Sequence, residues 1–242
     1  MNNDDVEHNA VLWIRRSSNK RLLINEFASL NDYPSPKYPI IIFMAGSPGA
    51  GKSEFVKQFK KSIEIVVGSP PVIIDPDAIR EVLPGYTGAN SYIFQRPISI
   101  AVDDLFRSVL NNNQSAIIDS TLSDFTRAKQ NIDKVLIKYP GVIISYIFQD
   151  PTIAWHFTRI REATEGRNIR KIDFINKFLG ARETVNRVKQ EYGNKVQLNL
   201  VLKDYKDIQS NKAVEKVFSN VNSIEEFIDF SYTKEGLEKL LK

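Results

Sequence analysis

The sequence contains no cysteine and only two histidines, His8 and His156. The lack of cysteine excludes disulfides, thiolate zinc sites and a cysteine nucleophile. The two histidines are far apart along the chain, so they do not indicate a catalytic pair. No apolar run reaches the roughly 18 residues that a membrane helix needs, and the acidic start of the chain does not resemble a signal peptide. These absences predict a cytoplasmic protein that does not bind membranes.

The sequence also lacks a strong charge of either sign. Its 33 basic and 29 acidic residues give a formal net charge of +4. This excess is small and spread along the chain, and a need to hold small anionic substrates explains it as well as nucleic acid binding does. Nucleic acid is therefore not an expected partner.

One complete phosphate-binding motif, G-x-x-x-x-G-K-[ST], directly follows an apolar run. The motif residues predicted to bind nucleotide are Gly46, Ser47, Pro48, Gly49, Ala50, Gly51, Lys52 and Ser53. Glycines let backbone amides approach a polyphosphate closely, and the helix that follows presents its positive N-terminal end. Lys52 is expected to contact the β and γ phosphates, and the Ser53 hydroxyl is an expected Mg²⁺ ligand. The motif predicts a bound nucleoside triphosphate with Mg²⁺.

Apolar runs alternate with helical patterns along most of the chain. Strands are expected at 40–45, 71–75, 115–119, 142–148 and 196–202. This alternation predicts an α/β fold of the P-loop NTPase type, with a parallel sheet of about five strands and helices on both faces. The polar alternation of the last strand is typical of a sheet edge.

Three parts of the chain are predicted. Residues 1–38 form an N-terminal helical extension, which either covers the core or regulates the site or binds a partner. Residues 39–203 form a P-loop kinase core. Residues 204–242 form a charged, helical segment packed on the core, with a capping box that begins at Ser223.

Acidic residues end the second and third predicted strands. Ligands of open α/β sheets bind beyond the carboxyl ends of the strands, where Asp77 could accept the proton of an attacking hydroxyl. Asp77 would lie beside the loop that carries Lys52 if their strands are neighbours. Asp119 is typical of a carboxylate that reaches Mg²⁺ directly or through water. The alternative is that Asp75 caps the turn, while Asp77 and Asp119 cap the helices that follow.

Four arginines lie on a helix–loop–helix pattern after the fourth predicted strand: Arg159, Arg161, Arg167 and Arg170. Many small P-loop kinases build a lid in this way, and a guanidinium group stabilises charge on a transferring phosphoryl group. The alternative is a solvated surface.

The ordered set of these motifs resembles the zeta toxin family of P-loop kinases over residues 38 to about 185. The resemblance is carried by the phosphate loop, Asp75-Pro76-Asp77 with Arg80, Asp119-Ser120-Thr121, and the lid that ends at Gly166-Arg167. It implies a kinase that uses ATP or GTP with Mg²⁺ to phosphorylate the sugar 3′-hydroxyl of UDP-N-acetylglucosamine. It also implies a toxin–antitoxin component, with an inhibitory antitoxin as a candidate partner.

The resemblance also implies roles for individual residues. The catalytic residues would be Asp77, Lys52, Arg161 and Arg167. The substrate-binding residues would be Asp75, Arg80, Asp103, Asp119 and Thr121. The metal ligands would be Ser53 and Asp119. The family usually has Glu and Gly at the positions of Asp119 and Ser120, and a shorter acid could accommodate a different sugar or nucleotide.

Two further functions are compatible with the residues themselves. One is a P-loop kinase that acts on another acceptor, such as a polynucleotide, a nucleotide or an antibiotic hydroxyl. The other is a nucleotide-dependent switch or binding protein that phosphorylates no acceptor.

Overall fold

The apolar runs form the strands of one sheet in the computed structural model, which describes residues 3–166, 168–204, 214–229 and 231–242. In these ranges the sheet has six strands: β1 (Ile41–Ala45), β2 (Val72–Ile74), β3 (Ala116–Ile118), β4 (Val142–Phe148), β5 (Val196–Asp204) and β6 (Val214–Phe218). The strand order is β2-β3-β1-β4-β5-β6. β1 to β5 are mutually parallel, and β6 is antiparallel to β5. The predicted fold class is confirmed.

Two helices precede β1, six lie between β1 and β5, and one follows β6 in the described ranges. They are α1 (Asn3–Arg15), α2 (Ser17–Ala28), α3 (Lys52–Val67), α4 (Pro76–Glu81), α5 (Gln95–Asn111), α6 (Phe125–Leu136), α7 (Pro151–Glu165), α8 (Lys171–Tyr192) and α9 (Lys234–Leu240). The capping box at 223–226 forms only a short 3₁₀ turn, Ile224–Glu226, in which the Ser223 hydroxyl accepts a hydrogen bond from the Glu225 amide.

Helices cover both faces of the sheet. Phe43 of β1 and Tyr146 of β4 point into the core shared with α1, α2, α5, α6 and α8. Ile42 and Met44 point to the opposite face, where they pack with Phe55 of α3. Successive residues of a strand face opposite sides, so a strand covered on both faces is apolar throughout. This explains why β1 is a continuous apolar run.

The C-terminal part of the sheet differs from the prediction. Residues 214–218 form β6, although the chain from 204 onward was expected to be helical. β5 therefore lies between β4 and β6 and not at the sheet edge. The polar residues of β5 have local partners: Asn199 Oδ1 accepts from Gln197 Nε2 at 3.2 Å and from the Asn220 amide at 3.0 Å. The Asn220 amide, in the segment after β6, thus satisfies part of the polar side of β5.

The N-terminal helices pack into the main core. Ile14 of α1 and Leu23 of α2 are buried in it. Lys20 Nζ lies 2.8 Å from Asp104 Oδ1 of α5, and Gln114 Nε2 donates to the Ala28 carbonyl at 3.1 Å. The proposed boundary at residue 38 stays a prediction. Among the described residues, no helix combines the length and the apolarity needed to cross a membrane.

Candidate active site

A cavity of about 770 Å³ lies beyond the carboxyl ends of β1, β2 and β3. The predicted site residues that line it are Pro48, Gly49, Gly51, Lys52, Ser53, Asp75, Asp77, Arg80, Asp119, Thr121 and Arg161. Gly46, Ser47, Ala50 and Asp103 do not line it. Arg167 lies outside the described residues. β3 lies between β2 and β1, so the strands that precede Asp77 and Lys52 are not neighbours, and the condition for placing Asp77 directly beside the Lys52 loop is not met. Their carboxyl ends nevertheless open into the same cavity.

The phosphate loop joins β1 to α3 through glycines with left-handed backbone conformations. Gly51 precedes α3 with φ +81°. Gly49 has φ +72°, and a β-carbon there would lie 2.0 Å from the Ala154 carbonyl oxygen of α7. Non-glycine residues adopt such φ values at a cost, and the contact with α7 leaves no room for a side chain. The loop therefore has its shape because glycine occupies these positions.

The Lys52 ammonium lies across the loop. Its Nζ donates to the Ser47 carbonyl at 2.7 Å and to the Gly46 carbonyl at 3.1 Å. The loop is also tied to the segment after β3, because the Gly46 amide donates to the Thr121 carbonyl at 3.1 Å. The Ser120 hydroxyl donates to the Met44 carbonyl of β1 at 2.9 Å. These bonds fix Lys52 and the Asp119-Ser120-Thr121 segment relative to each other.

Ser53 and Asp119 form an oxygen-rich pair beside the loop. Ser53 Oγ donates to Asp119 Oδ2 at 2.7 Å. Mg²⁺ usually binds one or two protein oxygens, with phosphate and water oxygens completing its shell, so this donor pair fits Mg²⁺. In the described ranges, no group of three or more His, Cys, Asp or Glu residues could hold a metal by itself. Such a site would hold Mg²⁺ together with a bound phosphate.

Asp75 caps α4. Its carboxylate accepts from the Asp77 amide at 2.8 Å, so Asp75 is the N-cap and Asp77 lies in the first turn. The alternative that Asp77 caps this helix was wrong, because Pro76 begins the helix one residue earlier. Burial raises the pKa of the Asp75 carboxyl, and repulsion from Asp119 and Asp77 adds to the increase, whereas the hydrogen bond from the Asp77 amide opposes it.

The Asp77 carboxylate lies between two arginines. Oδ1 accepts from Arg80 Nη1 at 2.6 Å, and Oδ2 lies 3.7 Å from Arg161 Nη2. The Arg80 side chain is 5% exposed and that of Asp77 is 33% exposed. Arg80 therefore supports the carboxylate from the protein interior, while Arg161 approaches it from α7 on the open side. This arrangement orients a carboxylate toward the cavity.

Arg161 is the lid arginine that reaches the cavity in the described part of the chain. Arg159 forms an ion pair with Glu162, three residues along the same helix. Arg170 Nε lies 2.7 Å from Asp173 Oδ2, also within one turn, and its side chain is 76% exposed. Arg159 and Arg170 thus fit the surface alternative, whereas Arg161 pairs with Asp77.

Asp103 is placed differently from the other predicted acids. It lies outside the cavity lining, and its Oδ1 is 3.6 Å from Arg127 Nη2. Arg127 itself lines the cavity and donates to Ser99 Oγ at 2.8 Å. Asp103 therefore faces the cavity only through Arg127.

Several polar residues of the lining belong to no sequence motif: Lys57, Ser99, Arg127, Asn131 and Lys177. They lie on α3, α5, α6 and α8, where polar residues on amphipathic helices resemble ordinary surface positions. The packing of the helices around the sheet brings them to one cavity, which spacing along the sequence does not indicate.

The doubly covered parallel sheet, the phosphate loop and the acidic ends of β2 and β3 define a P-loop protein with a kinase-type fold. The sequence model of the zeta toxin family matches residues 25–216. The chain belongs to the zeta toxin family.

Solved structures support the fold. A structure from the PezAT chromosomal toxin–antitoxin system of Streptococcus pneumoniae is similar at 17% identity and a TM-score of 0.64, with 93% of each chain covered. The AvrRxo1-ORF1:AvrRxo1-ORF2 structure with sulphate ions matches at 11% identity and a TM-score of 0.58, covering 98% of this chain and 76% of the other. The corresponding structure with ATP matches at 11% identity and a TM-score of 0.58, and the match covers 98% of this chain and 70% of the other. A search of curated proteins finds no match.

Proposed function

We propose that the protein is a kinase that transfers the γ-phosphate of ATP or GTP to a hydroxyl of a nucleotide sugar, and that this sugar is UDP-N-acetylglucosamine, as the family resemblance implies. The observation that carries this proposal is the shared cavity, in which the phosphate loop with Lys52 faces the Asp77 carboxylate and Arg161. A similar structure with ATP supports the choice of donor.

The donor site consists of the phosphate loop and the start of α3. Loop amides and the helix N-terminus attract the phosphates. The Lys52 ammonium gives up its hydrogen bonds to the Gly46 and Ser47 carbonyls and binds the β and γ phosphates instead. Ser53 and Asp119 would hold Mg²⁺, which would neutralise charge on the phosphates. Thus the residues that form the 2.7 Å pair in the structure provide the protein's share of the metal shell.

Asp77 acts as the general base. It accepts the proton of the sugar hydroxyl while that oxygen bonds to the γ-phosphorus, and the bond from the γ-phosphorus to the β-phosphate oxygen breaks to release ADP or GDP. Arg80 holds one carboxylate oxygen, which keeps the other directed at the cavity. Arg161 stabilises the negative charge on the migrating phosphoryl group. Arg167 remains a proposed second lid arginine.

The acceptor occupies the part of the cavity beyond Asp77. A volume of about 770 Å³ is within the range of roughly 300–1,000 Å³ that small-molecule sites have. Asp75, Arg80, Asp119 and Thr121 line this cavity and are the proposed acceptor contacts. Asp103 acts on the acceptor through Arg127, since it does not line the cavity itself.

An inhibitory protein is the proposed partner. One similar structure comes from a toxin–antitoxin system, and another is an ORF1:ORF2 complex. An antitoxin that bound this kinase and closed the cavity would suppress the reaction.

Release of ADP from ATP and Mg²⁺, measured with and without a panel of acceptors, tests the proposal. The panel contains nucleotide sugars, free nucleotides and oligonucleotides. We expect rapid release only with a nucleotide sugar. Release with an oligonucleotide, weakened steeply by salt because phosphate contacts release counterions, would instead indicate a polynucleotide kinase. Slow release that no acceptor accelerates would indicate a nucleotide-dependent switch.

A further inference from the structure

A buried lysine lies behind the phosphate loop. Lys203 is near the end of β5, and its side chain is fully buried. Along β5 it points to the same face as Val201, which packs against α3. A β-carbon at Gly51 would lie 2.8 Å from Lys203 Nζ. The ammonium therefore contacts the turn that begins α3.

The Lys203 ammonium is paired with a carboxylate of the cavity wall. Lys203 Nζ lies 3.0 Å from Glu54 Oε2, and the Glu54 side chain is 47% exposed. Glu54 lines the cavity together with Lys52 and Ser53, in the first turn of α3. The buried cation is thus coupled directly to the wall of the donor site.

Glu54 stands where a negative charge has two opposing effects. A carboxylate in the first turn stabilises a helix. A polyphosphate that binds at the same helix end would be repelled by that carboxylate, since both are negatively charged. Lys203 cancels the charge of Glu54 from the protein side, so that the helix keeps its acid without repelling the donor.

Another buried lysine shows what a purely structural role looks like. Lys189 of α8 is 7% exposed, and its Nζ donates to the Val196 carbonyl at 2.8 Å and to Asn220 Oδ1 at 3.2 Å. It does not line the cavity. Lys189 satisfies oxygens at the start of β5 and after β6, whereas Lys203 is paired with an acid that lines the cavity of the donor site.

We propose that Lys203 is a positioning residue of the donor site: it neutralises Glu54 and supports the Gly51 turn, so that α3 can accept a polyphosphate. This role rests on the proposed donor site and is independent of the acceptor. Removal of the ammonium takes a positive charge away from Glu54 and so makes the start of α3 more negative beside the phosphates. The loss of affinity should therefore grow with the number of phosphates on the nucleotide.

Calorimetric titration of the full chain with Mg²⁺ and either ATP or AMP tests this role, with Lys189→Met as the matched control. For Lys203→Met we expect ATP affinity to fall by about tenfold, the effect of losing a residue that contacts a ligand-binding residue but not the ligand itself. AMP affinity should change by less than about twofold. Lys189→Met should lower the melting temperature and leave both affinities unchanged. Equal ATP affinities for Lys203→Met and the unaltered chain would overturn the proposal.

Glu54→Gln provides a second test, in which the expected change in ATP affinity has the opposite sign. It tests the role of Lys203 even if Lys203→Met does not fold. Removal of the acid takes a negative charge away from the start of α3, so ATP should bind more tightly while AMP binding is unchanged. Weaker or unaltered ATP binding would contradict the role of Lys203. Failure of the unaltered chain to bind ATP would instead refute the proposed donor site, which separates the two conclusions.

Discussion

Replacement of Asp77 by asparagine tests the proposed general base while it preserves the shape of the side chain. The asparagine oxygen can still accept from Arg80, which donates to Asp77 at 2.6 Å in the structure. What is lost is the negative charge and the capacity to take a proton. Loss of a general base lowers turnover by about 10²–10⁴-fold, which corresponds to about 3–5 kcal/mol in the activation free energy.

The same replacement has a cost in stability, because Arg80 is buried and loses its charged partner. Hydrogen bonds to charged groups contribute about 1.5–3 kcal/mol, so we expect a lower free energy of unfolding but a folded protein. ATP affinity should be nearly unchanged, since Asp77 is placed to contact the acceptor.

Turnover, ATP affinity and thermal unfolding are measured side by side, with Asp173→Asn as the matched control. Asp173 also pairs with an arginine three residues away, but on the exposed surface. Asp173→Asn should retain full turnover. If Asp77→Asn turned over within about threefold of the unaltered chain, a range too small for the loss of a general base, Asp77 would have no part in proton transfer.

Three other substitutions give further tests. Arg161→Ala should lower kcat by at least about 10²-fold, because one group that stabilises charge in the transition state is lost. The control is Arg107→Ala on α5, where the side chain is 68% exposed; it should leave steady-state kinetics unchanged. Asp75→Asn should remove a pH dependence of stability. Because the pKa of Asp75 is raised in the folded state, the unaltered chain should lose stability relative to the variant as pH rises above the ordinary carboxyl pKa of 3.8, which urea unfolding at a series of pH values measures. Gly49→Ala should abolish ATP binding in titrations, because the new β-carbon would lie 2.0 Å from a backbone oxygen of α7. The control is Gly68→Ala, since Gly68 has a similar φ and open space around it. This control should lower the free energy of unfolding by only about 1–2 kcal/mol and leave ATP binding unchanged.

The sequence predicted those parts of the fold that depend on local pattern. The first four strands are largely apolar runs because helices cover both sheet faces, and glycine or polar and acidic residues follow their carboxyl ends. β6 was missed because Val214–Phe218 contains two charged residues among apolar ones and follows a charged segment. The edge position of β5 was also wrong, because β6 pairs with β5 and the Asn220 amide that donates to Asn199 lies beyond β6, where the sequence of β5 gives no sign of it.

The candidate site was predicted as far as motifs extend. Lys52, Asp77, Asp119 and Arg161 were found because each follows a strand or lies in a recognisable loop or lid pattern, and the structure brings them to one cavity. Tertiary packing determined the rest. Lys203 is one basic residue at the end of a strand, and nothing in its sequence context shows that it is buried behind Gly51.

The central claim is phosphoryl transfer to a sugar hydroxyl. The most direct measurement is mass spectrometry, followed by phosphorus NMR, of UDP-N-acetylglucosamine after incubation with the protein, ATP and Mg²⁺. The account predicts one added phosphate on the sugar 3′-hydroxyl, formed in equal amount to ADP and absent with Asp77→Asn. The account would be contradicted if ADP formed while neither UDP-N-acetylglucosamine nor any other nucleotide sugar gained a phosphate.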